Sequence, residues 1–326
     1  MPQRVFITGT AGFIGFHLAK RLLDLGHEVF GIDNFNDYYS VRLKHDRHAQ
    51  LERYPSYQWK ICDLCDGELL QSLMRTFQPD CVVNLAAQAG VRYSIVNPQA
   101  YQRSNVEGFL NVLECCRSQE PKPRLVYASS SSVYGGNREL PFVESQSVDQ
   151  PVSLYAATKK ANELMAHSYS NLFGLQAIGL RFFTVYGPWG RPDMAYWIFA
   201  EQLMQGKPIR IFNHGEMYRD FTYVDDIVSG VVGCITAPSL ARYAIFNIGN
   251  NRSERLMDFI RLIADGLGIS EPAMEFLPMQ DGDVPVTYAS VEKLHAAVGY
   301  VPTTPIALGV RKFVEWFKAY RGGYGQ

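Results

Sequence analysis

Tyr155 and Lys159 stand four residues apart, and a run of four serines, Ser129 to Ser132, precedes them in the chain. The apolar spacing of residues 152–173 predicts a helix, which would send Tyr155 and Lys159 off one face a turn apart. A phenol titrates near 10, too high for a base at neutral pH, but a neighbouring ammonium favours the phenolate. Such a pair is suited to moving a proton to or from an alcohol. The same spacing also occurs in ordinary amphipathic helices with the tyrosine packed and the lysine in solvent. The pair therefore acquires meaning only from what the rest of the chain places beside it.

An oxidant is what the N-terminus implies. Residues 4–8 form a β-branched and aromatic run that ends in Gly9-x-x-Gly12-x-x-Gly15, and residues 16–25 then show helical apolar spacing. In a strand, glycine turn and helix, the glycines permit a tight turn and close backbone approach. The amides that open the helix, at Phe13 and Ile14, face a pyrophosphate. A second strand over 28–33 ends in Asp33, followed by Asn34. An acid there accepts hydrogen bonds from an adenosine ribose and repels a 2′-phosphate, which favours NAD over NADP.

The elements that must position these groups alternate. Strands are expected over 57–61, 81–85, 124–128 and 176–182, with helices over 68–77, 99–118 and 152–173. That pattern predicts an α/β fold with a doubly wound parallel (Rossmann) sheet. Asp63, with Leu64 after it, lies just past the third strand, where it would meet an adenine amino group or cap the next helical turn. Leu85, Ala86 and Ala87 leave the fourth strand with small side chains against which a cofactor could lie, and Asn105 on the following helix is counted with them. The serine run reaches the carboxyl edge of the sheet, where ligands of such sheets bind. Residues 183–192, rich in Gly, Pro and aromatics, read as a functional loop. Beyond it come a helix over 195–205, a strand over 208–212, a helix over 225–235, a strand over 244–248 returning to the main sheet, and helices over 256–267, 291–297 and 306–320. No linker separates the lobes. An NAD-binding domain over 1–182, with a later contribution from about 225–249, is expected to interleave with a smaller α/β substrate lobe of 183–224 and 250–326.

Composition narrows the function classes. The chain has 326 residues, 47% of them hydrophobic, and 31 Lys plus Arg against 32 Asp plus Glu. There is no basic field to draw nucleic acid or an anionic membrane. No apolar run has bilayer-spanning length, and the N-terminus shows no signal-peptide pattern, so a cytoplasmic location is expected. Cys62 and Cys65 form an isolated C-x-x-C without a second pair or a nearby His cluster, so no metal site is expected.

These residues, in this order, resemble the extended branch of the short-chain dehydrogenase/reductase family, the NAD-dependent epimerases and dehydratases of nucleotide sugars. The resemblance runs nearly end to end. It rests on the glycine turn, Asp33, the serines, Tyr155-x-x-x-Lys159, Arg219-Asp220-Phe221-x-x-Val224-Asp225-Asp226 and Gly282-Asp283-Val284-Pro285. Within the family, the stretches from Asp33 to Tyr39 with Leu43-Lys44, from Ala86 to Ser94 and from Phe183 to Met194 are similar to the subgroup that epimerises UDP-glucuronate at C4.

The resemblance implies enzyme-bound NAD, a UDP-sugar substrate and a homodimer paired through the helices near 99–118 and 152–173. It assigns Tyr155 as base, with Lys159, and Ser130 as the assisting hydroxyl. Arg92, Ser131, Ser132, Thr184 and Arg191 would surround the sugar, with Phe212 near uracil, Arg219 on the diphosphate and Asp283 on the uridine ribose. Related dehydratases and decarboxylases carry acidic side chains in the stretch that here reads Ser130 to Ser132, so elimination or decarboxylation would lack its acid. Two alternatives stay open: a 4-epimerase for UDP-glucose or UDP-N-acetylhexosamines, which the small Thr287 permits, and a non-catalytic nucleotide-sugar or NAD-binding regulator.

Overall fold

The computed structural model describes residues 2–279 and 284–324. Seven strands form one parallel sheet: β1 (Arg4–Thr8), β2 (Glu28–Asp33), β3 (Tyr57–Ile61), β4 (Cys81–Asn84), β5 (Arg124–Ser130), β6 (Ala177–Phe182) and β7 (Tyr243–Ile248). Their order is β7-β6-β5-β4-β1-β2-β3. Val5 of β1 pairs with Val29 on one side and Cys81 on the other, so the order reverses at β1 and opens a crevice at the strands' carboxyl ends. The late strand over 244–248 does return to this sheet, beside β6.

The sheet is covered on both faces, as parallel sheets are. Helices α1 (Phe13–Asp24) and α2 (Val41–Leu51) place Phe16, Leu22, Leu43 and Leu51 in one core. Helices α3 (Gly67–Phe77), α4 (Gly108–Arg117) and α5 (Leu154–Phe173) place Leu70, Met74, Phe109, Val112 and Ala166 in the other. Apolar spacing did not announce α2, because its buried face carries Lys44, Arg47 and His48 beside the two leucines.

The expected helix over 99–118 is present but not uniformly wound. A turn at Pro98–Tyr101 passes into a wide π-type stretch, Gln102–Glu107, before α4 begins. Asn105 sits in that stretch with its side chain bonded outward to the chain at Gln88, and such widened turns are frequent where a helix serves a site. The fifth strand is longer than expected and takes in Ser129 and Ser130.

In the remainder, α6 (Ala195–Met204), α7 (Val224–Thr236), α8 (Leu256–Leu267), α9 (Glu292–Val298) and α10 (Ile306–Tyr324) follow. Helix α7 packs on α1, while α8 packs on α6 and α10. Three short strand pairs join the loops: Thr184–Tyr186 with Phe221–Tyr223, Ile209–Ile211 with Met274–Phe276, and Tyr218–Arg219 with Glu254–Arg255. Among the described residues, no helix is long and apolar enough to cross a membrane.

Candidate active site

Successive residues of a strand face opposite sides, and at the end of β5 this divides the serine run. Ser129 points into the core, where its hydroxyl donates to Glu163 Oε1 at 2.6 Å. Glu163 is also held by Arg181 through two bonds of 2.9 Å, and both side chains are buried. Ser130 points to the crevice. Its Oγ accepts from the Ser132 amide at 3.2 Å, which leaves its own proton for an acceptor there.

Ser153 caps α5 by accepting from the Ala156 amide at 3.1 Å, and the helix then presents Tyr155, Lys159 and Glu163 along one side. The Lys159 ammonium is buried and donates to Ala128 O at 2.9 Å. Burial lowers its pKa to about 8. Burial also raises the Tyr155 phenol above its ordinary value, and the Ser130 hydroxyl and the Arg191 charge act against that rise. The hydrogen-bonding partner that favours the phenolate here is thus Ser130 rather than the Lys159 ammonium. The Tyr155 ring stands edge-on to Tyr101 with centroids 6.0 Å apart, and Tyr101 is anchored by its hydroxyl donating to Ala89 O at 2.8 Å.

One continuous cavity of about 1040 Å³ joins this pair to the glycine turn and to the loop after β6. Its floor on the cofactor side includes Gly9, Gly12, Phe13, Ile14, Gly15, Asp33, Asn34, Asp63, Leu64, Leu85, Ala86 and Ala87. Gly9 adopts φ +81°, and a Cβ there would lie 2.9 Å from the Ala86 amide nitrogen. No side chain caps the first turn of α1 and no acid lies in it, so its amide donors open onto the cavity. Asp33 accepts from the Ala11 and Phe35 amides at 3.1 and 2.8 Å. Asp63 accepts from Asn34 Nδ2 at 2.8 Å and from the Cys65 amide at 2.9 Å, while the residue capping α3 is Asp66. Uncapped helix amides beside a glycine turn and a strand-end carboxylate fit a dinucleotide.

The opposite end is lined by Arg92, Ser130, Ser131, Ser132, Thr184, Arg191 and Phe212. Arg191 donates from Nε and Nη2 to Asp193 at 3.0 and 2.5 Å, and Tyr38 donates to the same carboxylate at 3.2 Å. Burial alone would lower the Arg191 pKa, but Asp193 outweighs it and the group is pinned in its charged form. The Arg92 guanidinium lies over the Phe212 ring, 5.4 Å from its centroid.

Two expected site residues, Asn105 and Arg219, do not line this cavity. Asn105 is buried with its side chain engaged, accepting from the Gln88 amide at 2.8 Å and donating to Gln88 O and Thr158 Oγ1. It holds the loop after β4. Arg219 lies against Tyr218 O and Pro285 O, at 2.9 and 3.1 Å. Asp283 falls outside the described residues. Asp220 and Asp226 of the same motif are used for folding: Asp220 accepts from the Asn250 and Ala289 amides, Asp226 from those of Thr303 and Thr304.

Conversely, Tyr38, Lys44 and Asp193 line the cavity; they lie in the stretches that carry the resemblance but were not among the expected site residues. Lys44 donates to Asn36 through two bonds, of 2.6 and 2.7 Å. The available signal was a helix face carrying charge where a core stripe belongs. All six cysteines are free, and among the described residues no His/Cys/Asp/Glu cluster could hold a metal.

Residues 5–249 match the family described as "NAD dependent epimerase/dehydratase family". The chain is 49% identical to "Protein CapI" of Staphylococcus aureus, over 98% of this chain and 99% of that protein. It is 45% identical to the "Probable UDP-glucuronate 4-epimerase" of Rhizobium meliloti, over 97% of each. Among solved structures it is similar to the UDP-glucuronic acid 4-epimerase of Bacillus cereus in complex with UDP-glucuronic acid and NAD. The TM-score is 0.91, at 31% identity over 97% of this chain and 99% of that one.

Proposed function

The chain belongs to the NAD dependent epimerase/dehydratase family, and from that premise we propose that it is an isomerase interconverting UDP-glucuronate and UDP-galacturonate with tightly bound NAD. The observation that carries the substrate is the sugar end of the cavity, where Arg191 and the hydroxyls of Ser131, Ser132 and Thr184 converge and residues 130–132 offer no acid. The Rhizobium meliloti relative bears the corresponding name, and the Bacillus cereus structure holds the corresponding sugar nucleotide and cofactor.

The glycine turn, the first amides of α1 and Asp33 would hold NAD, which when bound would supply reversible hydride transfer between the C4 alcohol and a 4-keto sugar. The chain's own residues manage protons and orientation. Tyr155 takes the proton from O4 and returns it, with Ser130 sharing that hydrogen bond. The Lys159 ammonium favours the phenolate while it carries its charge. The cavity of about 1040 Å³ runs from the glycine turn to Phe212, so cofactor and sugar nucleotide would share it. The keto sugar is a β-keto acid, which loses carbon dioxide when its carboxylate bond aligns with the carbonyl π system. Arg191 and the three hydroxyls hold the carboxylate out of that alignment through charge-assisted bonds.

By the same reading, residues 1–182 with 225–249 bind NAD, while 183–224 with 250–326 bind the nucleotide sugar. The enzyme works as a cytoplasmic homodimer. The pairing face is α4 with α5, where Leu110, Leu164 and Leu172 are exposed.

Competition between UDP-glucuronate and UDP-glucose on the purified protein tests the substrate. A higher kcat/KM for UDP-glucuronate is expected, and a preference for the neutral sugar overturns the reading.

A further inference from the structure

Arg47 is fully buried, and among the described residues no carboxylate lies within ion-pair distance of it. Four of its five N–H groups instead donate to neutral oxygens. Nε donates to Trp189 O at 3.0 Å and Nη2 to Gly190 O at 2.7 Å, while Nη1 donates to Ala11 O and to the Tyr39 hydroxyl, both at 2.8 Å. Burying a charge without a counter-charge is costly, so what this arginine contributes is geometry rather than ion pairing. Two of its acceptors sit in the loop that ends in Arg191, and a third sits inside the glycine turn, where the Ala11 amide meets Asp33.

The loop is gripped along its length. His17, one turn into α1, bonds through Nε2 to Pro188 O at 2.9 Å, so three consecutive carbonyls, at 188, 189 and 190, are held by side chains of α1 and α2. Between them Trp189 adopts φ +57°, a left-handed conformation that an indole-bearing residue rarely takes unless its surroundings impose it. Its ring packs against Phe16, Trp316 and Tyr320. At Gly190 a Cβ would overlap the Tyr196 hydroxyl. The next residue is Arg191.

We infer that Arg47 is a positioning residue, which ties the loop carrying Arg191 to the dinucleotide turn and thereby sets the enzyme's discrimination for a carboxylate on the sugar. The inference rests on the reading of Arg191 as the carboxylate partner. A lysine cannot replace Arg47, because an ammonium is a point donor and the four acceptors lie around a planar fork.

The test is Arg47→Lys, read three ways: NAD bound per chain, amide exchange of peptides covering 187–193 without substrate, and kcat/KM for UDP-glucuronate and UDP-glucose. The expected result is wild-type NAD content and faster exchange confined to that loop. With it comes a loss of about tenfold in kcat/KM for UDP-glucuronate, mostly in KM, against about twofold for UDP-glucose. Equal losses on both sugars, or unchanged exchange, overturn the inference. Should Arg47→Lys not accumulate as folded protein, Tyr39→Phe removes one acceptor of the same guanidinium, and the same direction at about two- to threefold is expected. A wild-type preference for UDP-glucose would overturn the functional reading instead, and the exchange alone then decides whether Arg47 fixes the loop.

Discussion

Arg191 and Asp193 are joined side by side, Nε to Oδ1 at 3.0 Å and Nη2 to Oδ2 at 2.5 Å. The cation that lines the cavity beside the serine run therefore already holds a carboxylate of its own loop. The pairing fixes the plane of the guanidinium and still leaves N–H donors for a second acceptor.

Arg191→Gln removes that second interaction. Charge-assisted hydrogen bonds contribute about 1.5–3 kcal/mol, so KM for UDP-glucuronate should rise by about ten- to a hundredfold. The change for UDP-glucose should be several-fold smaller. Steady-state kinetics with both sugars checks this, and a parallel assay for carbon dioxide should detect decarboxylation in the variant. Equal effects on both sugars would show that Arg191 does not meet the carboxylate.

Lys159 predicts an alkaline limit. Its pKa is lowered to about 8 by burial, so the ammonium is present below that pH and lost above it. In the proposed mechanism that charge adds to the Ser130 hydroxyl in favouring the Tyr155 phenolate, so kcat/KM should fall as pH rises past about 8. Lys159→Arg keeps its charge far higher on the pH scale, and any residual activity should lose this limb. An unchanged limb in the variant would assign it to another group.

Beneath the site, Arg181 and Glu163 form a buried pair that also fixes Ser129. Glu163→Gln leaves the guanidinium buried without its counter-charge, at a cost of about 3–5 kcal/mol. Ser129→Ala removes one hydrogen bond and should cost about 1 kcal/mol. Urea unfolding of the two variants measures the difference. A Glu163→Gln loss no larger than that of Ser129→Ala would mean that Arg181 finds other partners.

His17 makes stability depend on pH in the acid range. Burial is the main reason that its pKa is lowered to about 4, with the Arg47 and Lys20 charges adding to it. The unfolded chain, with its histidine near 6.5, binds the proton first, so stability is full above about pH 6.5 and is lost as pH falls toward 4. Because His17 is only partly enclosed, the contribution should be on the order of 1–2 kcal/mol. Urea midpoints from pH 7 to 4 should fall less steeply for His17→Gln than for the wild type. Parallel curves would exclude His17 as the source.

The local signals determined much of this protein. Short apolar runs alternating with period-3.6 patterns, together with a glycine turn, pointed to a doubly wound parallel sheet, because each is written in neighbouring residues. The four-residue spacing put Tyr155 and Lys159 on one side of α5, because helix geometry permits nothing else. Tertiary structure decided what spacing could not carry. The end of β5 was set by pairing with β6, which turned Ser129 into the core and Ser130 to the cavity. Asn105 became a strut for the Gln88 loop, and Arg219 came to lie against backbone carbonyls. Arg47 gave no warning in a polar helix, since three of its four acceptors are backbone oxygens 36, 142 and 143 residues away, and any residue type can present a carbonyl. Contacts made through the backbone leave no mark on composition, so only the folded chain discloses them.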